Sequence, residues 1–104
     1  MTEVRDNPAR SRFEALLDDG DFAFADYLID GDAITFPHTV VPGKYEGQGI
    51  GGALAKAGLN AARTRGLKVR PHCSFFASYM ARHPETHDLL APGEDAAVAR
   101  YEAG

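Results

Sequence analysis

Val41-Pro42-Gly43-Lys44-Tyr45-Glu46-Gly47-Gln48-Gly49-Ile50-Gly51-Gly52-Ala53-Leu54 decides the fold, because the residue pattern changes period inside it. Before it, apolar residues alternate as they do along strands. After it, Ile50, Leu54, Ala57 and Ala61 recur at helical spacing, with Ala53, Ala55 and Ala62 adding helix propensity. The spacing predicts a helix from about Gln48 to Gly66, a C-cap that follows Arg63 and Arg65, whose charges suit a helix C-terminus. Gly47, Gly49, Gly51 and Gly52 crowd the helix start, although a glycine inside a helix costs about 0.5–1 kcal/mol relative to alanine. One reading is a glycine-rich bend with no ligand. The other is an anion site: missing side chains let a ligand approach, and the first helical turn carries unpaired N–H groups with positive dipole character. Such a site suits a pyrophosphate.

Upstream, residues 1–10 are polar, with Asp6-Asn7-Pro8 as a turn signal, and are expected on the surface. From Ser11 to Leu17, Phe13, Ala15 and Leu17 share one side, and Asp18-Asp19-Gly20 reads as a hairpin turn. Residues 21–29 alternate again, with Phe22, Phe24 and Leu28 against Ala23, Ala25, Tyr27 and Ile29. A second turn, Asp30-Gly31-Asp32, leads into a strand from about Ala33 to Val41, which completes an antiparallel three-strand meander. Pro37 interrupts that strand and signals an edge, a bulge or a splay. Downstream, Leu67 to Cys73 is a strand, so strand, helix and strand form a parallel βαβ unit with a right-handed crossover. Ser74 is a candidate cap for a second helix over Phe75 to about His83, before Pro84. The expected class is α/β (α+β) with a mixed sheet: one domain over 11–92, a polar segment 1–10, and an acidic tail 93–104 with weak helical character through Ala96–Tyr101.

The chain has 104 residues, too few for a second core. Its net charge is −4, and only Arg63-Thr64-Arg65 with Lys68 and Arg70 gather positive charge, so nucleic acid is not an expected partner. No apolar run approaches the roughly 20 residues of a membrane span. Acids stand in Met1–Asp6 where a secretory signal has a basic start, and Cys73 is the single cysteine. A cytoplasmic protein without a membrane partner is expected.

Gly47, Gly49 and Gly52 also satisfy G-x-G-x-x-G, the dinucleotide fingerprint. That fingerprint expects the first strand of a sheet and an acid about 20 residues on. Here three strands precede the glycines, and Lys68 to Tyr79 contains no Asp or Glu. A Walker-A loop fails because no Gly-Lys-Ser/Thr follows. A coenzyme A site remains. The segment from Val41-Pro42 through Glu46-Gly47-Gln48-Gly49-Ile50-Gly51 to Leu54 resembles the acetyl-CoA motif of the GNAT superfamily, Arg/Gln-x-x-Gly-x-Gly/Ala. His38-Thr39-Val40-Val41-Pro42, Pro71-His72-Cys73-Ser74-Phe75 and Arg82-His83-Pro84 resemble a small, stand-alone branch of it, over roughly residues 4–90.

The resemblance implies that acetyl-CoA or coenzyme A is held by Thr39, Val40 and Val41 on a splayed strand. Glu46, Gly47, Gln48, Gly49, Ile50, Gly51 and Gly52 would take the pyrophosphate, Ser74 would contact the coenzyme, and Arg82 and His83 would meet its 3′-phosphate. Glu46 stands where the superfamily has Arg or Gln, so binding there leans on backbone N–H groups. Little chain remains after Pro84, which leaves the acceptor pocket either open or completed by a second subunit in a homodimer.

Acetyl transfer needs a neutral amine, yet a lysine-like amine of pKa about 10.4 is neutral in only about one molecule in 2,500 at pH 7. A general base therefore helps, and the departing thiolate benefits from a proton donor. The resemblance implies that Tyr79, six residues beyond Cys73, is that donor; otherwise it packs beside Phe75 and Phe76. Cys73 stands where a helix start favours thiolate and could accept the acetyl group, with His38 as its base. Otherwise Cys73 is a buried small hydrophobe. On strict alternation His38 shares a face with Ile34, Phe36 and Val40, where it is either a base or a satisfied core histidine. His72 falls opposite Cys73 and reads as structural. His83 and His87 are four apart, but Pro84 breaks the helix between them, so no metal is expected. The resulting expectation is an acetyl-CoA-dependent N-acetyltransferase acting on a small-molecule or protein amine, with a coenzyme A-binding module without turnover as the alternative.

Overall fold

Residues 3–102 are described by the structure, a computed structural model. Turns at the two Asp/Gly sites fold the chain into the expected meander, and the mixed α/β sheet is present. The strands β1 (Val4–Asn7), β2 (Arg12–Leu16), β3 (Phe22–Asp30), β4 (Ala33–Val40) and β5 (Lys68–Arg70) lie in the order β1-β2-β3-β4-β5. Neighbours are antiparallel as far as β4, and β4 and β5 are parallel. The crossover helix α1 (Ile50–Arg65) packs across every strand, followed by α2 (Ser74–Arg82) and α3 (Asp95–Glu102).

Alternation selects the buried face. Phe13 and Ala15 of β2, Ala23, Ala25 and Tyr27 of β3, and Ile34 and Phe36 of β4 turn toward Leu54, Ala55, Leu59 and Ala62 of α1. Alanines at the centre of the sheet let the helix come close. Phe36 stacks on Phe76 of α2 with ring centroids 4.0 Å apart, and Gly58 of α1 sits against both rings. This three-way contact ties sheet, crossover helix and second helix together, and stacking adds about 0.5–1.5 kcal/mol to the area buried.

Three local expectations change. The polar segment contains β1, which pairs with β2 from Val4↔Ala15 to Asn7↔Arg12, so the meander has four strands. An edge strand needs no apolar alternation, and the Tyr27 hydroxyl anchors this one by donating to Asp6 Oδ1 at 2.7 Å. The acidic tail carries the helix expected through Ala96–Tyr101, as α3, but that helix docks on the domain, with Val98 1% exposed in the core. One valine among alanines suffices to seat a short helix that its charges made look like a solvated tail. Finally, Cys73, not Ser74, occupies the N-cap of α2; it makes no side-chain capping bond, and Ser74 is the first helical residue.

At Gly58 an added Cβ would lie 2.9 Å from the Phe76 ring and 3.0 Å from the Phe36 ring. Gly58→Ala is therefore expected to lower the urea midpoint, because overpacking of about 1–3 kcal/mol outweighs a helix-propensity gain of about 1 kcal/mol.

Candidate active site

The site begins at a fault in the β3–β4 register. Asp26 pairs with His38 and Leu28 with Thr35, so the single residue Tyr27 faces two, Phe36 and Pro37. This is a β-bulge, and the extra residue reverses which side of the sheet each later residue faces. Thr39 pairs with Ala25 on the buried face, whereas His38 pairs with Asp26 on the open face. The expectation that His38 shares a face with Ile34 and Phe36 is thereby overturned. Its ring neighbour is Phe24, with centroids 6.5 Å apart. The group that meets Cys73 is the Thr39 hydroxyl, with Oγ1 3.1 Å from Sγ. His38 lies on the face of the sheet opposite to the thiol.

The parallel pairing ends just before the bulge. β4 and β5 pair from Ala33↔Lys68 to Thr35↔Arg70, and no further. β4 continues to Val40, while beyond Arg70 comes Pro71, which has no N–H to offer. Past that point, among the described residues, no ladder pairing joins the two segments, and this unpaired stretch, the splay, has Thr39, Val40 and Val41 on one side and Pro71 to Cys73 on the other. Cys73 is 9% exposed and closes the inner end.

Beside the splay the glycine run divides its labour. Gly47 and Gly49 have φ of +82° and +81°, a left-handed region that L side chains rarely adopt. Gly49 is the N-cap of α1, and no side chain caps it. The first intrahelical bond runs from Ala53 N–H to Gly49 O at 3.0 Å, so the N–H groups of Ile50, Gly51 and Gly52 precede the ladder. Gly52 faces open space, with no heavy atom within 4 Å of an added Cβ. Gly51 is different: a Cβ there would collide with the Phe75 ring, so helix packing is the reason for that glycine.

Glu46, Gly47, Gly49, Ile50, Gly51 and Gly52 form one wall of a cleft of about 500 Å³, and Val41 lines it at the end of β4. Opposite stand Ser74, Phe75, Ser78 and Arg82 of α2. Arg82 donates to Ser78 Oγ at 2.6 Å and forms no ion pair among the described residues. Its charge is available to a ligand. Other expected contacts fall outside. Gln48 lines a separate cavity with Glu14, Leu16, Asp18 and Phe22. The His83 ring stacks on Tyr79 at 4.0 Å and its Nδ1 lies 3.1 Å from Glu85 Oε2, which turns it from the cleft. Tyr45, Phe75, Ser78 and Tyr101 are cleft residues that sequence reasoning missed. Ser78 was discoverable, since 74, 78 and 82 share a helix face. Tyr101 was not, because only the docking of α3 brings it there.

Tyr79 is half-buried on α2 one turn after Phe75 and, like Thr39, Val40 and Cys73, is not among the residues that line the cleft. Burial raises its hydroxyl above the usual phenolic range, and the nearby Glu85 carboxylate adds to this. The phenol stays protonated. His72, on the loop before α2, has Nε2 2.9 Å from Glu94 Oε1, so it helps fasten the approach to α3. Among the described residues, no three His, Cys, Asp or Glu side chains gather as metal ligands. Nor, among them, is any helix long and apolar enough to cross a membrane.

A family model described as GCN5-related N-acetyl-transferase matches residues 12–89, from the start of β2 to the turn after α2. No curated protein matches the chain.

Alkaline titration tests the Tyr79 environment. In the absorbance difference between the protein and Tyr79→Phe, the midpoint is expected above about 10, and Glu85→Gln should lower it. The raised folded value means that Tyr79 contributes stability below about pH 10 and loses it as pH climbs through that midpoint. Tyr79→Phe should therefore flatten part of the alkaline fall in stability.

Proposed function

The chain belongs to the GCN5-related N-acetyltransferase family, and from that membership we propose that it binds acetyl-coenzyme A in the cleft at the head of α1 and transfers the acetyl group to an amine. The observation that carries this reading is the row of N–H groups at Ile50, Gly51 and Gly52, preceding the helical ladder beside open space at Gly52. Those amides suit a pyrophosphate even though Glu46 adds a negative charge nearby, because each donor is fixed in direction by the helix.

Thr39 and Val40, with Val41 just past the strand, lie on the β4 edge that β5 leaves unpaired, and their backbone suits the amide-bearing pantetheine arm. Bound there, the thioester supplies an activated acetyl carbon that an amine attacks, a carbon–nitrogen bond forming as the carbon–sulfur bond breaks. Thr39 and Cys73 would border the acyl end. Tyr79, held neutral, is our assignment for the group that gives its proton to the leaving sulfur, and the proton shed by the attacking amine restores the phenol. The net charge of −4 favours a cationic acceptor such as a polyamine or a lysine side chain. The setting we propose is the cytoplasm, where the lone cysteine stays reduced.

A module that holds coenzyme A without turnover is the second reading. It is favoured by His38 on the open face, which leaves a threonine hydroxyl and not a base beside Cys73. Incubation with acetyl-CoA, followed by intact mass and by thiol release across a panel of amines, separates the two. Release with an amine supports transfer, and acetyl on Cys73 marks a covalent route. Retained coenzyme with neither result supports the module.

Gly52→Glu tests the anion site with opposed readouts. The position is helical and sterically open, so an acid in the first turn should leave stability unchanged or raise it by up to about 1 kcal/mol. Coenzyme affinity should fall at least about tenfold, because a fixed negative charge then meets the phosphates. Gly52→Ala should bind nearly as the parent does. Undiminished affinity in a folded Gly52→Glu variant places the phosphates elsewhere.

A further inference from the structure

α3 lies beyond residue 89, outside the span the family model matches. It is nevertheless fastened to the domain by Val98, 1% exposed, and by the His72–Glu94 contact just before its first turn. That docking carries Tyr101, in the last turn of α3, to the cleft wall that also holds Phe75, Ser78 and Arg82. Both rings are partly open, Tyr101 at 38% exposure and Phe75 at 40%. Two aromatic faces in a concave site, beside an arginine that has no carboxylate partner among the described residues, suit a planar aromatic ligand bearing an anionic group. Neither an ion nor an aliphatic chain would use all three.

The rest of the cleft indicates which part of a ligand belongs there. The amides at Ile50–Gly52 hold the middle of a coenzyme, and Val41 leads its thioester arm toward the splay. The opposite end must then leave past the last turn of α2, where Arg82 stands, within the cleft that Tyr101 of α3 also lines. We infer that Tyr101 is a binding residue that stacks on the purine ring of the coenzyme, with Phe75 as the second apolar surface and Arg82 on the phosphate of the same nucleotide. This deepens the proposed function and rests on it. It also makes α3 part of the site, although the family model ends before it.

The test is calorimetric titration of coenzyme A and of 4′-phosphopantetheine, which lacks the nucleotide end, into the parent protein, Tyr101→Ala and Tyr101→Phe. Base–aromatic stacking predicts that Tyr101→Ala binds coenzyme A about tenfold more weakly while phosphopantetheine affinity stays unchanged. Tyr101→Phe keeps the ring and should retain coenzyme affinity. Unchanged coenzyme A affinity in Tyr101→Ala overturns the inference. An equal loss for both ligands overturns it too, since the effect then lies in the arm site or in the seating of α3. Failure of the parent protein to bind either ligand is a distinct result: it removes the coenzyme reading itself, and this inference with it.

Discussion

A single extra residue in β4 organises the functional half of this protein. At Phe36-Pro37 two residues face Tyr27, and from that point every β4 side chain faces the side opposite to the one alternation assigns. Phe36 still points inward to stack on Phe76, so the core is not interrupted. Immediately afterwards Thr39 turns to the thiol and His38 turns out. The bulge coincides with the end of β4–β5 pairing after Thr35↔Arg70, and with Pro71 on the neighbouring chain segment. A sheet that closes upstream and opens downstream results. The splay follows from one insertion and two prolines, each removing or displacing ladder hydrogen bonds that would keep the strands together.

Glycine serves three separate physical purposes within twelve residues. Gly47 and Gly49 permit a backbone turn that side chains disfavour. Gly52 leaves a helix start open to the cleft. Gly51 and Gly58 let aromatic rings lie against α1, Phe75 on the first and Phe36 with Phe76 on the second. A motif that looks like one phosphate-binding device is therefore partly a packing device. The two uses are linked, because the close approach of α2 to α1 at Gly51 sets the width of the cleft that Gly52 faces.

The domain extends beyond the span that identifies its family. β1 precedes residue 12 and α3 follows residue 89. β1 widens the sheet on the side away from the splay. α3 docks through one buried valine and supplies a tyrosine to the cleft. In a chain this short, burying even a few more apolar side chains is a large fraction of the available stability.

Much of this was present in the amino-acid order alone. The alternation of Phe13, Ala15 and Leu17, the helical spacing from Ile50 to Ala61 and the Gly66 stop dictate strands, crossover helix and parallel pairing through interactions within a few residues. The glycine run likewise marks the helix start that opens onto the cleft, since its conformational cost is local. Tertiary structure alone decided which face His38 occupies, that Gly51 serves Phe75, that Gln48 turns away, and that Tyr101 joins the cleft. Each depends on a partner distant in the chain: β3 for the bulge, α2 for the glycine, the core around Val98 for the last helix. Periodicity states which side chains share a face only while the pairing register is unbroken, and the register is a property of two strands together.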